Sequence, residues 1–194
     1  GNGNTVATNR PVFVNVLTNV TSIAGGSNFS IALTSAGEVW TWGTNNFGQL
    51  GLGNNNSQTS PTKITVLSNV VQIAAGHSHA LAMDYAGRIY AWGRNTEGQI
   101  GNGSTANLNS PTLLTNFGPA STLGASKWIA ANFNSSSAIS ISQDLFYWGR
   151  FGNGTITGSV TQPTLLGGRM GKKFDRVTYG ENFLLEYTRL LCIL

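Results

Sequence analysis

A glycine-rich stretch of twelve residues occurs twice in this chain, at a separation of fifty residues. It reads WGTNNFGQLGLG at residues 42–53 and WGRNTEGQIGNG at residues 92–103, and seven of the positions are identical. Recurrence at a fixed distance marks a tandem repeat of one structural unit, and a unit of this size buries too little surface alone. The repeat therefore predicts that neighbouring units stack against each other to form a common core.

The prolines show how far the repeat extends. Pro11, Pro61, Pro111 and Pro163 are spaced by 50, 50 and 52 residues. We interpret the chain as a single domain made of a unit's tail (1–14), two complete repeats (15–64 and 65–114), a degenerate repeat (115–166) and a partial repeat (167–194). Because both ends fall inside a unit, we expect the chain to be a fragment of a longer polypeptide.

Each complete unit begins with a predicted hairpin. In the first unit Phe29, Ile31 and Leu33 alternate with small or polar residues, which predicts a half-buried strand. Ala36 and Gly37 predict a tight turn, and residues 39–42 predict the next strand. A long ordered loop is then expected to run through Pro61 before the chain enters residues 62–66.

The repeated residue types have physical explanations. Glycines permit positive φ and close backbone approach, and the tryptophans offer large apolar surfaces to bury between units. Gln49 and Gln99 could satisfy backbone groups that a long loop leaves unpaired. The small residues Ala32, Ala82 and Ala138 predict close approach of neighbouring strands.

The third unit departs from this pattern. Gln143 and Asp144 replace the glycine-containing turn, and the segment after Trp148 is shortened and lacks the Gly-Gln pair. An irregular insertion at residues 116–127 lengthens the segment that precedes the predicted strands of this unit. We expect function to lie where the copies differ, which includes this insertion and residues 167–176.

Many short strands at regular spacing, with no convincing helix, predict an all-β chain of propeller blades. The pattern W-G-x-N-x-x-G-Q-[LI]-G-x-G, followed by a proline and later by I-A-[AG]-G, resembles the regulator of chromosome condensation repeat. The resemblance implies a β-propeller, usually of seven blades. Because this chain has three whole units and two partial ones, we expect an incomplete propeller, an arc of roughly four blades.

Composition narrows the classes of partner. Charged residues make up only 9% of the chain, and Asn, Ser, Thr and Gly fill the polar positions. This pattern is common on extracellular, cell-surface and virion proteins. The net charge is +4, but most basic residues are scattered, so we do not expect nucleic acid as the main partner.

No apolar run reaches the length of a membrane span, so no membrane insertion is expected. Cys192 is the sole cysteine, which excludes an internal disulfide.

No convergent set of reactive side chains is evident, so we predict no catalytic residue, no cofactor site, no metal site and no enzyme. The two histidines, His77 and His79, are two positions apart, a spacing that can hold a metal. We favour packing for His79, since the repeat fills that position with His or Phe. The candidate binding residues are loop positions that differ between copies or cluster in charge: Phe47, Glu97, Arg169, Lys172, Lys173 and Arg176.

The function that we expect is a non-catalytic scaffold that binds protein partners through propeller loops. One alternative is a structural component of a larger assembly, such as a cell-surface or virion protein, in which neighbouring subunits complete the propeller. A second alternative, implied by the resemblance alone, is nucleotide exchange on a small GTPase.

Overall fold

The structure is a computed structural model that describes residues 1–6, 9–14, 16–152, 157–166, 173–179 and 184–187. Among these residues the regular structure is all strand, and no helix is present that is long and apolar enough to cross a membrane. The strands form three four-stranded antiparallel sheets and one hairpin. The predicted all-β class and incomplete propeller are therefore confirmed.

We call the three sheets blades 1, 2 and 3. Blade 1 consists of β1 (Val20–Gly25), β2 (Phe29–Thr34), β3 (Val39–Gly43) and β4 (Gln58–Lys63). Blade 2 consists of β5 (Val70–Ala75), β6 (His79–Asp84), β7 (Ile89–Gly93) and β8 (Leu108–Leu114). Blade 3 consists of β9 (Ser126–Asn132), β10 (Ser135–Ser140), β11 (Leu145–Gly152) and β12 (Thr157–Leu165). The hairpin consists of β13 (Arg176–Tyr179) and β14 (Leu184–Tyr187).

Within each blade the strands pair in chain order, so the first and fourth strands form the edges. The first strands face each other on the inside of the arc: β5 packs against β1 and β9, and β9 packs against β13. The fourth strands β4, β8 and β12 therefore lie at the outer rim. Consecutive blades stack face to face around the inner strands.

Three of the four prolines of the repeat, Pro61, Pro111 and Pro163, lie inside these outer strands. Pro61 belongs to β4, which begins at Gln58 and ends at Lys63. The expectation that Pro61 lies in a loop ahead of residues 62–66 is therefore wrong. An edge strand tolerates proline because one side of its backbone has no strand to bond.

The core lies between the blades. Ile31, Leu33 and Val39 of blade 1 are buried in one cluster with Ile73 and Trp92 of blade 2. Equivalent clusters join blade 2 to blade 3, and blade 3 to the β13–β14 hairpin. The predicted burial of tryptophans between units is confirmed for Trp92, which is fully buried.

The central strands are more buried than their sequences predict. Every residue of β6, from His79 to Asp84, is buried, because blades 1 and 3 cover the two faces of blade 2. In β2 only Ser30 is partly exposed. The prediction of a half-buried strand around Ile31 is therefore wrong, since the polar-looking positions of the alternation also face a packed surface.

The turns between the second and third strands follow the prediction. Gly37 and Gly87 both have φ of 73°. In blade 3 the same turn uses Gln143, a non-glycine residue with φ of 67°, whose N–H donates a 2.9 Å hydrogen bond to the Ser140 carbonyl. The degenerate repeat therefore keeps the turn geometry at some cost in backbone strain.

The irregular insertion before blade 3 contributes to the core. Phe117 is buried, and its ring contacts Phe146 edge-on with centroids 5.7 Å apart. The same ring lies 5.9 Å from Trp148. Packing therefore accounts for at least this part of residues 116–127.

Candidate functional site

Two loops of equal length occupy one end of the arc. The first loop, residues 44–57, joins β3 to β4, and the second loop, residues 94–107, joins β7 to β8. The turns between the first and second strands of each blade lie at the same end, because strand direction alternates in an antiparallel sheet. We call this end the loop end and the opposite end the turn end.

A Trp-Gly pair redirects the chain into the second loop. Pairing of β7 with β8 shifts register around Trp92, which marks a β-bulge. Gly93 has φ of 100°, and a Cβ there would lie 2.5 Å from the Ser78 carbonyl oxygen. Gly43 and Gly149 meet the same two constraints in the other blades. Only glycine satisfies both at these positions.

The tryptophan also holds the loop of the preceding blade. Trp92 Nε1 donates a 2.9 Å hydrogen bond to the carbonyl oxygen of Gln49. Gly51 lies directly on the same indole, since a Cβ there would be 2.8 Å from Nε1. Trp148 makes the corresponding contact with Gly101, but its buried Nε1 has no hydrogen-bond partner.

A hydroxyl replaces the indole N–H in the contact between blades 2 and 3. Ser136 Oγ donates a 2.7 Å hydrogen bond to the carbonyl oxygen of Gln99, the position that Gln49 holds in the first loop. The same Oγ lies 2.9 Å from His79 Nε2. Because the serine proton points to Gln99, the imidazole is the donor to Ser136 and carries its proton on Nε2.

His79 is a connector between blades. It is fully buried, and burial lowers its pKa to about 3. Its Nδ1 faces Gly76, where a Cβ would lie 2.4 Å away. The imidazole is therefore neutral at ordinary pH and enclosed by the core, as the packing interpretation of this position requires.

Asparagine anchors each loop from within. Asn45 is fully buried, its Oδ1 accepts from the Leu50 N–H at 2.9 Å, and its Nδ2 donates to the carbonyls of Asn54 and Asn56. Asn95 makes the three equivalent bonds in the second loop, at 2.8 to 3.0 Å. The role of this asparagine was not predicted, although the residue is identical in both copies of the glycine-rich stretch.

Glutamine supplies the remaining anchor. Gln49 Oε1 accepts from the Phe47 N–H at 2.9 Å, and Gln99 Oε1 accepts from the Glu97 N–H at 2.8 Å. Both glutamines are buried. The prediction that these side chains satisfy loop backbone groups is confirmed.

Between the anchors, the loops present residues that differ from one copy to the other. Phe47 is 36% exposed, and the guanidinium carbon of Arg94 lies 5.6 Å from its ring centroid. Glu97, at the position equivalent to Phe47, accepts a 3.0 Å hydrogen bond from Ser159 Oγ. The same buried anchors therefore display an aromatic ring, in contact with Arg94, at this position of the first loop and a carboxylate at the equivalent position of the second loop.

The turns of the loop end form a row that connects the blades. The Ser27 N–H donates to the His77 carbonyl, and the His77 N–H donates to the Phe133 carbonyl, both at 3.0 Å. The rings of His77 and Phe133 lie 4.5 Å apart, and Phe133 is 55% exposed. The Arg94 N–H donates to the Ser78 carbonyl at 2.8 Å, which joins the second loop to this row.

The basic candidates lie at the turn end. Lys173 Nζ donates to the Ser142 carbonyl at 2.6 Å and lies 3.5 Å from the Asp144 carboxylate. The Arg176 guanidinium carbon lies 5.2 Å from the Trp128 ring centroid. These two residues are therefore at the opposite end from Phe47 and Glu97. The other two candidates, Arg169 and Lys172, lie outside the described residues.

Carboxylates at the turn end are engaged in ion pairs. The pairs are Glu38 with Lys63, Asp84 with Arg88, Asp144 with Lys173 and Asp175 with Lys127. Among the residues that the structure describes, no three His, Cys, Asp or Glu side chains are placed to hold a metal ion. At the loop end, in contrast, the described side chains include the Phe47 ring, the Arg94 guanidinium and the Glu97 carboxylate.

Comparison with known proteins identifies the repeat. Two models described as "Regulator of chromosome condensation (RCC1) repeat" match the chain, one at residues 36–83 and 86–128, and the other at residues 20–49 and 70–99. A search of curated protein sequences returned no significant match.

Solved structures of two proteins resemble this one along most of its length. Human WBSCR16 has a TM-score of 0.75 and 26% identity over 87% of this chain. Prp20p from Saccharomyces cerevisiae, in a structure reported with its binding properties to Gsp1p and histones, has a TM-score of 0.76 and 26% identity over 91% of this chain. The same yeast protein, called RCC1 (Prp20), has been solved with Kap60 bound. This chain spans 45% of the length of the WBSCR16 and Prp20p chains. The repeat matches, the blade architecture and these structural neighbours agree, and the chain belongs to the regulator of chromosome condensation (RCC1) repeat family.

Proposed function

We propose that this chain is a non-catalytic scaffold that binds a protein partner through its loop end. The supporting observation is that each loop contains two kinds of side chain, buried ones that hold the loop in place and partly exposed ones that differ between the copies. The anchoring side chains, such as Asn45 and Gln49, are buried and hydrogen-bonded to the backbone of their own loop, whereas Phe47 and Glu97 are displayed between them. A rigid frame with variable residues at its loops is the usual arrangement of a recognition surface.

The structural neighbours support a protein as the partner class. The titles of the yeast structures name Gsp1p, histones and Kap60 as proteins that Prp20p binds. We extend from them only the expectation of a protein partner. Nucleotide exchange on a small GTPase is the more specific alternative, and no described residue argues for it in particular.

The proposal is tested by quantitative affinity capture with matched variants. A loop-end variant, Phe47→Ser with Glu97→Ser, keeps every buried anchor and should retain the unfolding midpoint of the wild type. A control variant at the turn end changes Tyr85→Ser, a side chain that is 74% exposed. The loop-end variant should lose a captured protein that the control retains. Equal capture by all three proteins would contradict a partner surface at the loop end.

A second candidate function is participation in a larger assembly, and one observation favours it. Ile23 is 77% exposed, whereas the equivalent residues Ile73 and Ile129 are 7% and 1% exposed because a preceding blade covers them. This face of blade 1 thus has the composition of a blade interface.

Light scattering tests this second candidate. If the face joins copies of the chain, the wild type should form oligomers that Ile23→Asp dissociates. The control Val66→Asp changes another exposed aliphatic residue, which is 69% exposed, and should leave the oligomers intact. A wild-type protein that stays monomeric at high concentration would count against self-assembly.

A further inference from the structure

Arg94 is the centre of a small, preorganised surface at the loop end. Its Nε donates a 2.9 Å hydrogen bond to Thr96 Oγ1, and its guanidinium lies over the Phe47 ring. Its backbone N–H is bonded to Ser78, so the chain that carries the side chain is also fixed. We infer that Arg94 binds a carboxylate side chain in an acidic segment of a partner protein, an inference that rests on the proposed function above.

The geometry leaves the functional end of this arginine available. A guanidinium carries five N–H donors in a planar fork, and Thr96 takes the one on Nε. The two terminal nitrogens form the edge that recognises carboxylates in a bidentate manner. Contact with Phe47 orients the plane and lowers the entropy lost on binding.

The contrast with other basic residues supports this reading. At the turn end Lys63, Arg88, Lys127 and Lys173 each lie within 4.0 Å of a carboxylate. Among the described residues Arg94 has no such ion pair. Its side chain is held in place by a hydroxyl and an aromatic ring, which leaves its charge uncompensated.

Apolar surface continues from the arginine along the row of turns at the loop end. Ser78, which Arg94 contacts, follows His77, and the His77 ring lies against the exposed Phe133 in a tilted arrangement, with centroids 4.5 Å apart. A ligand that places a carboxylate on Arg94 can therefore lay a neighbouring aromatic or aliphatic side chain against Phe133. An acidic residue flanked by apolar residues has the matching chemistry.

The charge distribution favours a protein segment over a nucleic acid. Glu97 lies on the same loop as Arg94, and its carboxylate is held by Ser159. A phosphate backbone needs several cations in succession, and this carboxylate interrupts them.

Titration of the full chain by nuclear magnetic resonance tests the inference. The probe is the peptide acetyl-Ala-Phe-Glu-Phe-Ala-amide, and its matched control has Gln in place of Glu. We expect the Glu peptide to shift the amide signals of Arg94, His77 and Phe133 and to bind about tenfold more tightly than the Gln peptide, the effect of one charge-assisted pair.

Variants separate the arginine from general charge effects. Arg94→Gln should weaken binding of the Glu peptide about tenfold, and Arg94→Lys should restore only part of it because lysine lacks the planar fork. Lys63→Gln removes the same charge at the turn end and should leave binding unchanged. The amide spectrum of each variant shows whether the fold is retained.

The outcomes distinguish this inference from the proposed function. Equal binding of the Glu and Gln peptides, or unchanged binding by Arg94→Gln, overturns the carboxylate site. Binding of a single-stranded thymidine oligonucleotide in place of the Glu peptide overturns it in favour of a nucleic-acid surface. If affinity capture still depends on Phe47 and Glu97 while the peptide fails, the scaffold proposal stands and the role of Arg94 is wrong.

Discussion

Two buried tryptophans provide a direct test of how the blades are joined. Trp92 and Trp148 are both fully buried at equivalent positions, and both pack beneath a loop glycine. Trp92 Nε1 donates to the Gln49 carbonyl, whereas Trp148 Nε1 has no partner. Replacement of either tryptophan by phenylalanine removes the same atoms, so both variants lose the same amount of packing. The two variants differ only in the hydrogen bond, which Trp92→Phe loses and Trp148→Phe does not.

The expected magnitude follows from this difference. Trp92→Phe leaves the Gln49 carbonyl without its donor, which costs about 1 to 3 kcal/mol when the group is buried. Trp148→Phe removes a buried N–H that is already unpaired and adds no such penalty. We therefore expect Trp92→Phe to lower the free energy of unfolding by about 2 kcal/mol more than Trp148→Phe.

Urea unfolding monitored by far-ultraviolet circular dichroism measures both variants without relying on tryptophan fluorescence. For a chain of this size, 2 kcal/mol also corresponds to a difference of about 4 to 8 °C in melting temperature. If Trp148→Phe destabilises the protein as much as Trp92→Phe, the hydrogen bond to Gln49 contributes nothing and the reasoning is refuted.

Three further changes test other parts of the frame. Burial lowers the pKa of His79 to about 3 in the folded protein, whereas an exposed histidine in the unfolded chain has a pKa of about 6.5. Below pH 6.5 the unfolded chain therefore binds one more proton than the folded protein, so the free energy of unfolding should fall by about 2 kcal/mol from pH 7 to pH 5. His79→Phe, the residue type found at Phe29, should remove this contribution when both proteins are unfolded in urea at the two pH values. Gly93→Ala should cost about 3 kcal/mol in the same assay, because φ is positive and space is lacking, whereas Gly25→Ala has open space and should be nearly neutral. Asn95→Asp removes two buried donors and adds a charge, so it should cost about 3 kcal/mol and speed amide exchange in the second loop; unchanged exchange would show that the loop does not depend on this anchor.

The repeat made the blade architecture predictable because its residues act locally or on the adjacent unit. Gly37 sets a turn, Gln49 satisfies its own loop, and Trp92 fills the space between two units. Because the same constraints recur about every fifty residues, each unit forms one small sheet, and the sheets stack to bury a common core. Fold prediction therefore needed no knowledge of distant contacts.

The candidate site was less predictable because it depends on contacts between units. Phe47 was recognised as variable, but its contact with Arg94 spans two loops and leaves no local pattern. The basic residues Lys173 and Arg176 were grouped by sequence with Phe47 and Glu97, yet they lie at the other end of the arc. Variation between copies shows which residues are displayed, and the fold decides which of them meet.

The third blade shows how a degenerate repeat keeps its place in the stack. Each loop presents one inward carbonyl, at Gln49 or Gln99, that needs a donor from the next blade. In blade 2 the donor is the indole of Trp92, whose strand partner is Ala80. In blade 3 the strand partner of the tryptophan is Ser136, and its hydroxyl takes over the carbonyl.

This exchange of donors has a consequence for the rest of the interface. Ser136 needs a donor of its own, and His79 provides it from the neighbouring blade. Trp148 loses its acceptor but keeps its packing, so the interface replaces one hydrogen bond with two and leaves one N–H unpaired. A repeat can therefore lose parts of its sequence pattern and still stack, provided that each buried carbonyl finds a donor.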